Sequence, residues 1–225
     1  MKRIHLALLA IAVALFQSQA IAQKIPDVTE DGLVRVPSSG RYSIVYRAPG
    51  VSFAGYHRVI LDTPGVAFKR TWLRDYAHVM KPAEIEELRQ QAADAFYEVL
   101  RNEIVNQGKF AVANVRAPDV LRVRPYIVRL DIAAPQAGTQ LAALTYVRSA
   151  GSMSLVVELH DAASGALIAR IIHNEPSREF GNLVLANQIF NSAEARNAFI
   201  KGAQLTHEAI NLAQTERSPP SLAPQ

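Results

Sequence analysis

Between residues 82 and 106, apolar side chains recur at spacings of three and four: Ile85, Leu88, Ala92, Phe96 and Val99. That spacing lines one face of a helix. Pro82 suits the first helical position, and Glu84, Glu86 and Glu87 suit the positive end of the helix dipole. Gly108 is placed to stop the helix. A second helix is predicted over 192–214, with Ala198, Leu205, Ala209 and Leu212 on one side. Asn191 followed by Glu194 has the spacing of a capping box at its start.

Elsewhere the period is two. "RYSIVYR" (41–47), "YHRVILD" (56–62), "SMSLVVELH" (152–160) and "ALIARIIH" (166–173) read as strands, with "GVAF" (65–68) extending the second past Pro64. "FAVA" (110–113) is a short strand. Residues 120–132 form a long one whose apolar parity changes. Leu121 and Val123 precede Pro125, whereas Val128, Leu130 and Ile132 follow it on the other parity. A bulge at Pro125 would return both sets to one face. Residues 23–40 read as a lead-in, with at most a short strand at 33–36. Residues 174–190 carry no clear pattern. The order β-β-α-β-β-β-β-α predicts an α+β fold. Its sheet is mostly antiparallel or mixed, of five to six strands, with the two amphipathic helices on one face. A single domain is expected over 41–214, and 215–225 reads as a disordered tail.

The N-terminus changes the picture of where this domain works. Lys2 and Arg3 precede the apolar run "LALLAIAVALF" (6–16), and small residues stand at Ala20 and Ala22. This pattern predicts a signal peptide, residues 1–22, cut after Ala22, and hence a periplasmic or secreted protein. The run is shorter than the roughly 20 residues of a membrane span. No transmembrane insertion of the mature chain is expected. The absence of cysteine rules out disulfides and thiolate chemistry. Without Lys2 and Arg3, the 24 basic residues fall to 22 against 20 acidic ones, a net +2, which gives no argument for nucleic acid. The charge is uneven. Residues 35–81 hold eight Lys/Arg against Asp62 and Asp75, and residues 82–107 hold six Asp/Glu against Arg89 and Arg101.

Candidate chemistry is sparse. His160, Asp161 and His173 lie in "VELHDAASGALIARIIH" (157–173), where "DAASG" has the residues of a tight turn. Simple hairpin register pairs Asp161 with Ala166, His160 with Leu167 and His173 with Ser154. It holds the two histidines roughly 20 Å apart at about 3.3 Å per residue, so they share no metal. "HEAIN" (207–211) has Asn211 where a zinc-protease helix needs its second histidine. No phosphate-binding loop or serine-hydrolase turn is present, and no cofactor or metal is implied. The constellation that remains is "KRTWLRDYAHVMK" (69–81). Trp72 between Lys69, Arg70 and Arg74 offers a binding surface for a sugar or a partner. As a helix, the segment would bring Asp75 and His78 to one face, the best candidates for hydrolytic catalysis.

"DGLVRV", "YRAPGVSFAGYHRVILD", the helix after 82, "VLRVRPYIVRLDI", "LVVELHDAASGALIAR" and "AEARNAFIKGAQLTHEAINLA" resemble, in order and character, the family DUF3313 over most of residues 31–214. The resemblance implies an exported envelope protein. Members look mostly like lipoproteins, whereas this chain lacks the lipid-bearing cysteine. The family carries no established activity, so it lends no functional residues. The expectation is a non-enzymatic envelope module. It would bind another envelope protein or an anionic envelope component through the basic region 35–81. A hydrolase of envelope glycan or peptide, or a sugar- or small-ligand-binding module centred on Trp72, are the alternatives.

Overall fold

The computed structural model describes residues 25–133, 146–149, 151–177, 179–185 and 188–215. The signal peptide expected over 1–22 and the tail after Thr215 lie outside the described residues. Along the chain run β1 (Val34–Val36), β2 (Ser43–Arg47), β3 (Arg58–Leu61), β4 (Gly65–Phe68), α1 (Arg70–Tyr76) and α2 (Pro82–Arg101). A π-helical segment (Asn102–Gln107) extends α2. Then come β5 (Ala111–Val112), β6 (Val120–Asp131), β7 (Tyr146–Ser149), β8 (Ser152–Asp161), β9 (Leu167–Glu175), β10 (Glu179–Leu185) and α3 (Gln188–Thr215).

Eight strands form one mixed sheet in the order β1-β2-β9-β8-β6-β3-β5, with β4 also beside β6. This exceeds the five to six strands expected, because "LVRV" and "GVAF" each pair as separate strands. A small β7–β10 ladder accounts for part of the unpatterned stretch 174–190. β1 pairs with β2, and Leu33 before it is buried, so the folded unit takes in the lead-in and starts well before residue 41.

β6 organises the sheet. One edge runs antiparallel to β8, and the other runs parallel first to β3 and then to β4. Leu61 of β3 pairs with Val123, and Gly65 of β4 pairs with Tyr126. Pro125 therefore sits at the seam between the two partners, where the ladder on that side is interrupted and a missing N–H is tolerated. The strand runs through Pro125 without a bulge: Leu121, Val123, Pro125 and Ile127 are all buried at a period of two. The parity changes four residues later. Arg129 adopts φ +57°, and the β6–β8 register shifts between Val128 and Asp131. The bulge exists, but Arg129 forms it, which brings Leu130 into the core.

A second register shift decides the histidines. His160 pairs with Leu167, but Leu159 pairs with Ala169, so Ile168 is an extra residue on β9. His173 consequently faces Leu155 rather than Ser154. The slip of one residue moves it to the opposite face of the sheet from His160.

α2 and α3 share one face of the sheet. Their Phe96 and Phe199 rings stack at 5.2 Å, and Ala203 and Ile210 join Leu155, Val157 and Leu159 in the same core. Gly202 lets α3 approach β8 closely: a Cβ there would lie 2.5 Å from Leu155 Cδ1. At the start of α2, Glu84 accepts a hydrogen bond from the Lys81 N–H at 2.7 Å. α3 begins at Gln188, so Asn191 lies inside the helix and does not cap it. The other face of the sheet carries paired charges. Arg170 bridges Glu158 (2.9 Å) and Asp31 (2.8 Å), and Asp62 holds Arg122 at 2.9 Å.

Candidate functional site

The segment 69–81 folds back on β4, and its tryptophan goes inward. Trp72 is 2% exposed, stacks on Phe68 with ring centroids 4.3 Å apart, and donates its indole N–H to the Ile132 carbonyl at 3.0 Å. Its ring faces are closed to a sugar. The cause is chain reversal: α1 starts two residues after Phe68, so its first inward position lands on that ring. Lys69 pairs with Asp131 at 2.9 Å, and Arg74 pairs with Asp75 at 3.0 Å. Arg70 is exposed. Helix α1 ends before His78, so the shared helical face expected for Asp75 and His78 is not formed. Both are exposed, and neither lines a described cavity.

The basic run does not make one patch. Arg35 stands on β1 at one end of the sheet and pairs with Asp27 at 2.8 Å. Arg58 stands on β3 near the other end, held by Asp119 at 2.6 and 2.5 Å. That bond holds the Asp119 carboxyl down at about 2, with His57 adding a smaller attraction. Acids from outside the run thus pair with Arg35, Arg58 and Lys69.

The turn of the β8–β9 hairpin uses Asp161 structurally. Its carboxylate accepts from Ser164 N–H (2.6 Å), from Ser164 Oγ (2.5 Å) and from the Tyr56 hydroxyl (2.9 Å). Gly165 supplies φ +77°. Among the described residues, no three His, Cys, Asp or Glu side chains gather in metal-binding range.

One relay was invisible to linear spacing. Ser43 Oγ lies 3.0 Å from His173 Nδ1, and His173 Nε2 lies 3.2 Å from Glu175. The order matches a hydrolase relay, but His173 is buried and neither it nor Ser43 lines a described cavity. A nucleophile needs adjoining space for a substrate. Lys201 also reaches Glu175, at 3.3 Å, so the group ties β2, β9 and α3 together.

The more enclosed, apolar space lies away from Ser43 and His173. A cavity of about 460 Å³ opens between the C-terminal half of α3 and the β1–β2 edge. Its floor is Val45, Leu159 and Ala169 from the sheet, with Phe53 beside them. Leu205, Ala209 and Leu212 of α3 form its roof. These three α3 positions are the ones the helical period groups together. Arg47, 7% exposed, enters the lining from β2, and Glu208 stands at the rim, accepting from Ser39 Oγ at 2.6 Å. Arg47 is one of the cations of the basic run; the alternation of "RYSIVYR" places it on the same side as Val45, which is the signal for its burial. A second cavity of about 580 Å³, near Glu175, Glu194 and Lys201, is more open and more polar.

A model of the family described as protein of unknown function (DUF3313) matches residues 27–206. The chain belongs to the DUF3313 family. Among curated proteins, none matches it. The chain is similar to the PelC dodecamer from Paraburkholderia phytofirmans at 12% identity, covering 73% of this chain and 97% of that one, with a TM-score of 0.37. It is similar to protein XCC0632 from Xanthomonas campestris at 14% identity, covering 80% and 92%, with a TM-score of 0.38. It is also similar to a putative neuraminyllactose-binding hemagglutinin homolog from Helicobacter pylori at 14% identity, covering 80% and 90%, with a TM-score of 0.31. No helix among the described residues of this DUF3313 chain is long and apolar enough to cross a membrane.

Proposed function

We propose that this DUF3313 protein is a non-enzymatic binding module of the cell envelope, exported by cleavage after Ala22, whose ligand enters the cavity between α3 and the β1–β2 edge. The observation that carries this reading is the cavity itself. At about 460 Å³ and with a mostly apolar lining, it has the size and character of small-ligand sites, which span roughly 300–1,000 Å³. Residues Asp75 and His78, the candidates for hydrolysis, stand exposed outside it.

The test uses the neutral apolar fluorophore N-phenyl-1-naphthylamine on residues 23–225. Saturable binding is expected, abolished by Ala209→Phe, which fills the cavity. Non-saturable uptake, or uptake indifferent to Ala209→Phe, would overturn the reading. Export is tested separately by periplasmic fractionation, with Gln23 expected as the mature N-terminus.

Contact with an anionic envelope partner through Lys69, Arg70 and Arg74 is a second reading, favoured by the exposure of Arg70 and Arg74. Such binding weakens with salt. Recovery of the same partners by Arg70→Glu plus Arg74→Glu would remove it.

A further inference from the structure

The α3 cavity lies beside the point where the chain leaves its last helix. Leu212 and Ala213 line it, and α3 ends at Thr215. That end is fastened to the fold. The Ala213 carbonyl accepts from the Phe53 N–H at 3.3 Å, and Gln214 donates to the Tyr56 carbonyl at 3.0 Å. Phe53 itself lines the cavity. Residue 216 therefore starts within one helical turn of the lining. Leu212 is 45% exposed, so an apolar side chain marks the mouth on the side where the chain departs.

The sequence after α3 is "ERSPPSLAPQ" (216–225). Its one large apolar side chain is Leu222, seven residues past Thr215. At about 3.1 Å per residue in the extended form that prolines favour, that chain reaches roughly 22 Å. The α3 lining from Leu205 to Ala213 is only about 12 Å long at about 1.5 Å per residue. Leu222 thus has enough chain to turn back over the whole lining. Pro219 disfavours helical backbone at Ser218, which favours departure from the α3 axis there. Pro219, Pro220 and Pro224 also restrict the free chain, so ordering it costs less entropy. The charges are complementary. Arg217 is a cation close to the helix end, and Glu208 is an exposed anion at the rim. Glu208 accepts from Ser39, and a carboxylate has further acceptor sites for a guanidinium.

On the reading that this cavity is the binding site, we propose that residues 216–225 are its tethered plug. Leu222 occupies the apolar space beneath Leu205, Ala209 and Leu212, Arg217 meets Glu208 at the rim, and an external ligand binds by displacing them. A short tether holds Leu222 at an effective concentration of about 1 mM. Against a contact of about 0.1 mM dissociation constant, this weakens an external ligand about tenfold.

The experiment measures N-phenyl-1-naphthylamine binding to the 23–225 chain and to its Leu222→Ser variant. Leu222→Ser should tighten binding about tenfold, and Arg217→Glu should tighten it by a smaller factor. A synthetic peptide of residues 216–225 should displace the fluorophore from the Leu222→Ser chain at millimolar concentration, and the same peptide carrying Leu222→Ser should not. The tightening should be equal in dilute and concentrated protein, because the plug is intramolecular. Saturable binding that Ala209→Phe abolishes and Leu222→Ser leaves unchanged would overturn the plug while leaving the cavity reading intact. Tightening that vanishes on dilution would assign the tail to a neighbouring copy and also overturn it. Failure of the fluorophore on both chains would overturn the cavity reading, and methyl NMR then decides the plug by itself. Cross-relaxation between the Leu222 and Leu212 methyl groups supports it, and its absence overturns it.

Discussion

The Tyr56 hydroxyl donates to Asp161 at 2.9 Å, joining the approach to β3 to the turn of the β8–β9 hairpin across 105 residues of chain. The same residue's carbonyl accepts from Gln214 near the end of α3 at 3.0 Å. Tyr56 thus fastens the hairpin tip and the last helical turn to one point. Burial, and after it the bond to Asp161, push its phenol up to about 12. Tyr56→Phe keeps the ring and removes only the hydroxyl. It should cost about 1.5–3 kcal/mol, as a hydrogen bond to a charged group does, read as a lower urea midpoint at unchanged slope.

The pH dependence of this contact has a definite sign. The folded phenol titrates above the ordinary tyrosine value of 10.0, so the stabilisation is complete below that pH. It declines as pH rises from about 10 toward about 12. The difference between wild type and Tyr56→Phe should shrink over this window in denaturation series buffered at successive pH values.

The acid limb comes from two carboxylates. The Arg58 bond lowers Asp119 from 3.8 to about 2, and the Ser164 hydroxyl and N–H lower Asp161 below its usual range. A depressed carboxylate stabilises the fold above its unfolded pKa, and that contribution is lost as pH falls through the folded one. Thermal midpoints should therefore drop between about pH 4 and pH 2. Asp119→Asn should make that drop shallower; an unchanged acid profile would count against the Arg58–Asp119 linkage.

Trp72 reports on the core. It is the one tryptophan of the chain and is 2% exposed, so emission should be blue-shifted and resistant to iodide quenching. Trp72→Ala should cost about 3–5 kcal/mol, the range for a large aromatic removed from a core. Arg70→Glu, at an exposed position, should leave stability within about 0.5 kcal/mol. A glycan panel should leave the emission unchanged, since the ring faces are occupied.

Gly202 sets the distance between α3 and β8. Gly202→Val should destabilise by about 1–3 kcal/mol through overpacking against Leu155. Gly202→Val combined with Leu155→Ala should recover part of that loss, because the volume is returned; double-mutant denaturation measures the coupling.

Arg129 holds a left-handed backbone at φ +57°. Arg129→Gly should be neutral or stabilising by up to about 1 kcal/mol, whereas Arg129→Val should cost about 1–2 kcal/mol. Equal effects of the two in urea denaturation would argue against the bulge at this position.

Local pattern carried a good part of the architecture. The stripe Ile85, Leu88, Ala92, Phe96 and Val99 specifies a helix because side chains three and four apart share a face, and the alternation in 152–160 and 166–173 specifies strands. "DAASG" specifies a turn because Asp161 and Gly165 satisfy its backbone locally. These signals depend on neighbours in sequence. The resemblance to DUF3313 rests on the same segments. What the chain alone left undecided depends on neighbours in space. The parity change of β6 is expected at Pro125 but falls at Arg129, because a proline is tolerated wherever the adjoining ladder breaks, and the seam between β3 and β4 exists only once those strands pair with β6. The extra residue Ile168 reversed the face of His173, since each one-residue slip exchanges the two sides of a sheet. Trp72 reads as a surface anchor among cations until chain reversal stacks it on Phe68. Arg47 reads as one more charge of a basic run until α3, more than 140 residues away, roofs the space in front of it. Periodicity fixes which side of an element a residue takes; only the packing of distant elements decides whether that side meets core, cavity or water.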